Sequence, residues 1–250
     1  MSLYARRGVH GQTVETIARR VLSGELPEGG TLDLNALQSE LDVSLTALRE
    51  SLKVLAAKGL VDARQKRGTY VRARADWNLL DADVLRWQFT DQVDASLLRS
   101  LNEVRRIVEP AAVRLAAERR TEKDLLALDE ALSAMAAGGH EAPRAVESDL
   151  AFHRALLAAT HNELLERMEA VIESGLAARD ELVHGAGGEP DDPVPSHRAV
   201  LDGVRAQDPD AAEAAMRALL DKAISDQERI QTQALHTGPA QPARRGKAAR

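Results

Sequence analysis

The sequence predicts a mainly α chain, an N-terminal winged helix-turn-helix of three helices plus a small β-hairpin followed by a C-terminal all-α helical bundle, on three observations. Aromatic residues are only 2% of the 250 although hydrophobic residues are 44%, which disfavours sandwiches and barrels and favours helices built from Ala and Leu. Apolar residues recur at helical spacing along most of the chain. One pair of β-type runs, Leu60 to Ala63 and Thr69 to Arg72, follows directly on three short helical stretches.

The elements follow in order. Val14, Ile17, Ala18 and Val21 form a helical stripe that ends in the breaker run from Gly24 to Gly30. Leu34 to Leu41 gives a second short helix and Asp42 to Ser44 a turn. Ser44 can cap a third helix whose inward face is Leu48, Leu52 and Leu55 and whose end is marked by Gly59. Arg64 to Gly68 then joins the β-type runs as a hairpin with a basic tip. Three helices and a hairpin make a winged helix, placed at 8–74. Residues 75–94 read as a linker helix whose Trp77 and Trp87 are expected to pack between domains. Helices are expected at 95–119, 122–136, 142–158, 161–184, 196–206 and 209–230, within an all-helical domain at 95–232. Residues 233–250 have no stripe to bury and read as a disordered tail.

The net charge of −6 is unevenly spread. Residues 1–76 carry 12 Lys/Arg against 9 Asp/Glu, residues 77–230 carry 17 against 30, and 231–250 carry 4 against none. A basic head on an acidic body points to a polyanion partner for the head alone. The chain has no Cys, which excludes disulfides, thiolate zinc sites and a cysteine nucleophile, and leaves His and carboxylate to hold any metal. Nowhere do about 18 uncharged apolar residues run together, so the protein is expected to remain in the cytoplasm, neither exported nor membrane-spanning.

A winged helix turns the exposed face of its third helix into the major groove of double-stranded DNA. That face offers Leu45, Thr46, Arg49, Glu50 and Lys53. Arg49 is the side chain able to give a two-pronged hydrogen bond to guanine or phosphate, and Thr46 can meet phosphate or a thymine methyl. At the hairpin tip, Lys66 and Arg67 are expected to enter or flank the minor groove, with Gly68 allowing close approach. Two such heads in a homodimer would meet two half-sites of a near-palindromic operator.

The run from Gly24 to Gly30, then Val43 to Leu52, Leu55 to Val61 and Arg67 to Val71, resembles the GntR family of bacterial transcriptional regulators. The resemblance implies a DNA-binding regulator, a repressor of a catabolic operon, and not an enzyme. Two positions depart from the family: Leu45 and Asn35 stand where it usually has Arg, so two of its usual DNA contacts are absent.

In the body, Asp149 and His153 lie four apart, on one helix face, and His197 opens a later helix. Carboxylate and imidazole without sulfur suit a divalent metal such as zinc, while the spacing alone fits a surface pair equally. The stretches Glu103 to Pro110, Ala116 to Arg119, Asp149 to His153, His161-Asn162 and Ser196-His197 resemble the FadR subfamily. This resemblance implies an effector-binding and dimerising domain in which Asp149, His153 and His197 hold a divalent metal, although Leu219 stands where the family has its fourth ligand. It also implies that Arg105 meets an effector carboxylate, against the alternative of a salt bridge with Glu109, and that Asn162 either bonds the effector or caps its helix. The stretch Trp77 to Trp87 resembles repressors of sugar-acid catabolism, which implies an aldonate or related hydroxy acid as effector. Two further classes stay open: a helical metal-dependent enzyme using Asp149, His153 and His197, and a DNA-binding protein that needs no ligand. The remaining histidines, His10, His140, His161, His184 and His236, are assigned no role.

Overall fold

Short polar side chains ahead of apolar stripes set the second and third helices. In a computed structural model, which describes residues 8–88, 95–138, 142–176 and 192–237, the chain opens with α1 (Val9–Leu22), α2 (Leu34–Leu41) and α3 (Leu45–Ala57). Asp33 caps α2 by accepting from the N–H groups of Asn35 and Ala36, and Ser44 caps α3 by accepting from that of Ala47, so each short helix has its orphan donors satisfied where it begins. Gly59 ends the third helix with φ 78°, and a Cβ there would lie 2.6 Å from the Asp76 carbonyl oxygen. β1 (Val61–Arg64) and β2 (Gly68–Val71) follow as an antiparallel pair with Val61 opposite Val71 and Arg64 opposite Gly68.

Contacts divide the chain into two units, Met1–Leu101 with Arg167–Gly175, and Asn102–Glu166 with Leu176–Arg250. The first unit is built on Ile17, Leu48, Leu55, Leu60 and Val61, and its core takes in Trp77 and Trp87 as well. A 3₁₀ turn (Arg74–Asp76) and α4 (Ala82–Gln88) bring these tryptophans in, α4 packing on α1. Their large apolar rings thus complete the winged-helix core, where the sequence led us to expect them between domains. Lys58, at the end of α3, lies 2.7 Å from Asp81 and 2.9 Å from Asp83 and ties the two elements together.

Beyond it come α5 (Ala95–Arg119), α6 (Glu122–Gly138), α7 (Ala142–Ala158), α8 (Glu163–Glu166), α9 (helical over 169–176), α10 (Val194–Arg205) and α11 (Pro209–Thr237). The second unit packs α7 on α6, α10 on α6 and α11 on α10, around Leu128, Leu132, Phe152, Leu201 and Met216. The helix expected at 161–184 is interrupted: His161 is left-handed at φ 49°, α8 is a single turn, and residues 167–168 form a turn before α9. No Gly or Pro marks that break, and the apolar spacing of Leu164, Leu165, Met168, Val171 and Ile172 runs across it unchanged. Residues 177–184 lie outside the described residues. The last helix continues to Thr237, into the stretch expected to lack structure, and 238–250 lie outside the described residues.

At the crossing of α10 and α11, a Cβ on Gly203 would lie 2.7 Å from the backbone N and Cα of Ala212, too close for any side chain. We expect Gly203→Ala to destabilise the protein by about 1–3 kcal/mol through overpacking, read by urea unfolding. Burial lowers the Lys58 ammonium pKa, but the hydrogen bonds and charges of Asp81 and Asp83 outweigh it and raise the value above that of an ordinary lysine. This stabilisation is complete below the unfolded-chain value, roughly 10.4, and is lost as pH rises through the folded one. Wild-type stability should therefore fall more steeply with pH above roughly 10.4 than that of Lys58→Met, whose curve lacks this titration.

Candidate functional site

Two places gather the polar side chains singled out in the sequence. The first is the outer face of the winged helix. Leu48, Leu52 and Leu55 point α3 into the core, which leaves Thr46, Arg49 and Lys53 exposed on its other side. Lys53 pairs with Glu50 at 2.8 Å, so part of its charge is neutralised within the helix. At the hairpin tip, Lys66 (φ 69°) and Gly68 (φ 82°) both adopt the left-handed backbone that reverses the strand. Lys66 is exposed, whereas Arg67, also exposed, donates from Nη2 to the Gly29 carbonyl at 2.8 Å and lies over the Tyr70 ring.

The second place is a buried polar chain inside the second unit. Arg105 and Glu109 sit one turn apart on α5, both 3% exposed, with Arg105 Nε 2.6 Å from Glu109 Oε1. Glu109 Oε2 lies 2.7 Å from His153 Nδ1 on α7. His153 Nε2 stands 3.6 Å, and His197 Nε2 from α10 2.8 Å, from the same oxygen of Asp149. His197 Nδ1 is 2.8 Å from the Pro193 carbonyl, and its ring packs edge-on against Phe152 at 5.0 Å between centroids.

Elementary donor bookkeeping settles the tautomers. A carbonyl oxygen only accepts, so His197 carries its hydrogen on Nδ1. Burial pushes the Glu109 carboxyl up, but the Arg105 guanidinium and the His153 imidazole beside it outweigh that and hold it at about 2. Glu109 is thus an ionised acceptor, and His153 likewise carries its hydrogen on Nδ1. Both rings then turn Nε2 toward the same oxygen of the Asp149 carboxylate. Asp149, His153 and His197 thus offer ligand atoms within 4.8 Å of one another. The donor set, two imidazoles and a carboxylate with their outer nitrogens already held, fits a divalent metal ion.

Of the residues read from sequence, Arg105, Asp149, His153 and His197 come together here. Asn162 stands apart from that chain of contacts: its Oδ1 accepts from the N–H groups of Leu164 and Leu165 and caps α8. Leu219 belongs to the apolar core with Val200 and Met216. Glu109, which sequence reading treats only as a salt-bridge partner, is the link between Arg105 and the imidazoles; its place four residues after Arg105, on the same helix face, was the available signal.

The family described as "Bacterial regulatory proteins, gntR family" matches residues 10–71, and "FCD domain" matches residues 100–222. The Galactonate operon transcriptional repressor of Escherichia coli (strain K12) is 36% identical over 81% of this chain and 89% of its own. The HTH-type transcriptional regulator LutR of Bacillus subtilis (strain 168) is 36% identical over 59% of this chain and 66% of its own. The solved structure of Lar, which controls the Listeria monocytogenes agr system, aligns with a TM-score of 0.63 at 16% identity, covering 90% of this chain and 99% of that one, a likeness of fold alone. The chain belongs to the GntR family of bacterial regulatory proteins, with an FCD domain behind the winged helix, and is a DNA-binding regulator of transcription rather than an enzyme.

Proposed function

We propose that the protein is a cytoplasmic homodimeric repressor of a sugar-acid catabolic operon, released from its operator when a small carboxylate such as an aldonate binds beside the buried Asp149–His153–His197 cluster. The observation that carries the effector site is the pair of buried Nε2 atoms facing Asp149, together with Arg105, whose Nη2 is buried with no hydrogen-bond partner among the described residues. Arg105 Nε is held by Glu109, so one edge of the guanidinium remains to receive a carboxylate. The 36% identity to a galactonate operon repressor supports the effector class. Asp149, His153 and His197 would hold a divalent ion, which supplies a fixed positive charge for hydroxyl and carboxylate oxygens; Leu219 adds no fourth protein ligand. The Asn162 amide oxygen is already used as a cap, which leaves its NH₂ for the effector.

On the DNA side, Arg49 reads bases, Thr46 and Lys53 flank it on α3, and the tip residues Lys66, Arg67 and Gly68 form the wing's approach to the duplex. Release requires that the effector bind one arrangement of the two heads better than another, and a coupling of about 1–3 kcal/mol changes DNA affinity roughly 5–150-fold. Titrating aldonates against protein bound to a duplex selected from a random pool tests the proposal. Unchanged DNA affinity with every aldonate would remove the effector class and leave the DNA role standing.

Three outcomes are expected. Arg49→Ala should weaken binding to the selected duplex by about 1–3 kcal/mol and relax its base preference, while Lys66→Ala weakens all sequences alike; equal losses on selected and random DNA would show that Arg49 does not read bases. Asp149→Ala should abolish metal uptake and effector response with DNA binding retained, measured by metal analysis and operator titration. Glu109→Gln should lower metal affinity by roughly 10–100-fold because the charged acceptor that orients His153 is gone, read by calorimetry.

A further inference from the structure

We infer that Arg67 braces the wing rather than gripping DNA, and that the cation presented to the duplex at the wing tip is Lys66. The inference rests on the winged helix being the DNA reader and assigns the work within it.

The free edge of β2 is taken by the segment after α1. Gly29 N–H donates to the Val71 carbonyl and Val71 N–H to the Gly30 carbonyl, both at 2.9 Å, and Leu32 N–H donates to the Thr69 carbonyl at 2.8 Å. Tyr70, from the middle of β2, is 7% exposed and its hydroxyl donates to Asp62 on β1 at 2.9 Å, so its ring is a fixed platform. Arg67 lies with its guanidinium carbon 3.7 Å from the centre of that ring and donates from Nη2 to the Gly29 carbonyl at 2.8 Å. It therefore joins the hairpin tip to the loop that ends α1, across 38 residues of chain. Only a planar guanidinium can lay a face on an aromatic ring and direct an in-plane N–H at a carbonyl at once; an ammonium has no such face. A grip on phosphate through Nη2 would break the tie to Gly29, which leaves Arg67 only its remaining N–H groups while it braces the wing. Lys66, the residue before it, is exposed at the turn and fixed there by its left-handed backbone.

The test is a titration of random-sequence duplex DNA by the full chain over a range of salt, with Lys66→Ala, Arg67→Ala, Arg67→Lys and the Lys66→Ala/Arg67→Ala double variant. Each phosphate contact contributes about 0.9 to the slope of log affinity against log salt. Lys66→Ala should lower the slope by about 0.9. Arg67→Ala should weaken binding through a displaced Lys66, so the double variant loses no more slope than Lys66→Ala alone. Arg67→Lys, which keeps the charge but loses the stacking plane, should behave like Arg67→Ala. Thermal unfolding confirms that each variant is folded. A double variant that loses about 1.8 in slope, an Arg67→Lys that binds like wild type, or an Arg67→Ala without effect would each overturn the assignment. Absence of duplex binding by the wild-type chain would instead remove the DNA-reading assignment on which it rests.

Discussion

Each of the two buried imidazoles commits its Nδ1 outside the cluster, His197 to the Pro193 carbonyl and His153 to Glu109, and the rest of the site is arranged around that. With Nδ1 engaged on each ring, the two Nε2 atoms meet at Asp149. The donor set at this site fits a divalent cation. Three helices are constrained to serve it: α5 supplies Arg105 and Glu109, α7 supplies Asp149 and His153, and α10 supplies His197.

The winged helix is organised on a different principle. Its reading surface is exposed and carries little structure of its own, so rigidity comes from behind. The caps at Asp33 and Ser44 fix where α2 and α3 begin, Trp77 and Trp87 fill the core beneath them, and Lys58 joins the end of the reading helix to the start of α4 through two aspartates. Ionic contacts of this kind add little at a fully exposed surface, but the Lys58 side chain is only 11% exposed, and its charge could not be left alone there.

The legible parts of the sequence are those with local chemistry. The bounds of α3 follow from the Ser44 cap, an apolar stripe and the terminal Gly59, and the hairpin follows from its basic turn with Gly68. Period alone is blind to the break after α8, because an apolar stripe continues through residues 167–168 without a Gly or Pro to mark the turn. Trp77 and Trp87 show the limit from another side: sequence reveals that they must be buried but not in which core. At the site, spacing brings Asp149 to His153 on one face of α7, while His197, 44 positions further on in the numbering, joins them only through tertiary packing. Glu109 is visible in sequence as a partner for Arg105, and its second oxygen acquires meaning only when α7 lies alongside.

The bare backbone of Gly203 lets α10 and α11 touch at the level of Ala212. His197 rides on that same α10, fewer than two turns away. The placement of that imidazole is thereby tied to the spacing of two helices, set by hydrogen atoms where any larger substituent would act as a shim. A residue with no side chain to offer thus fixes where one imidazole of the cluster stands, and a substituent there would cost stability and move that ring in the same stroke.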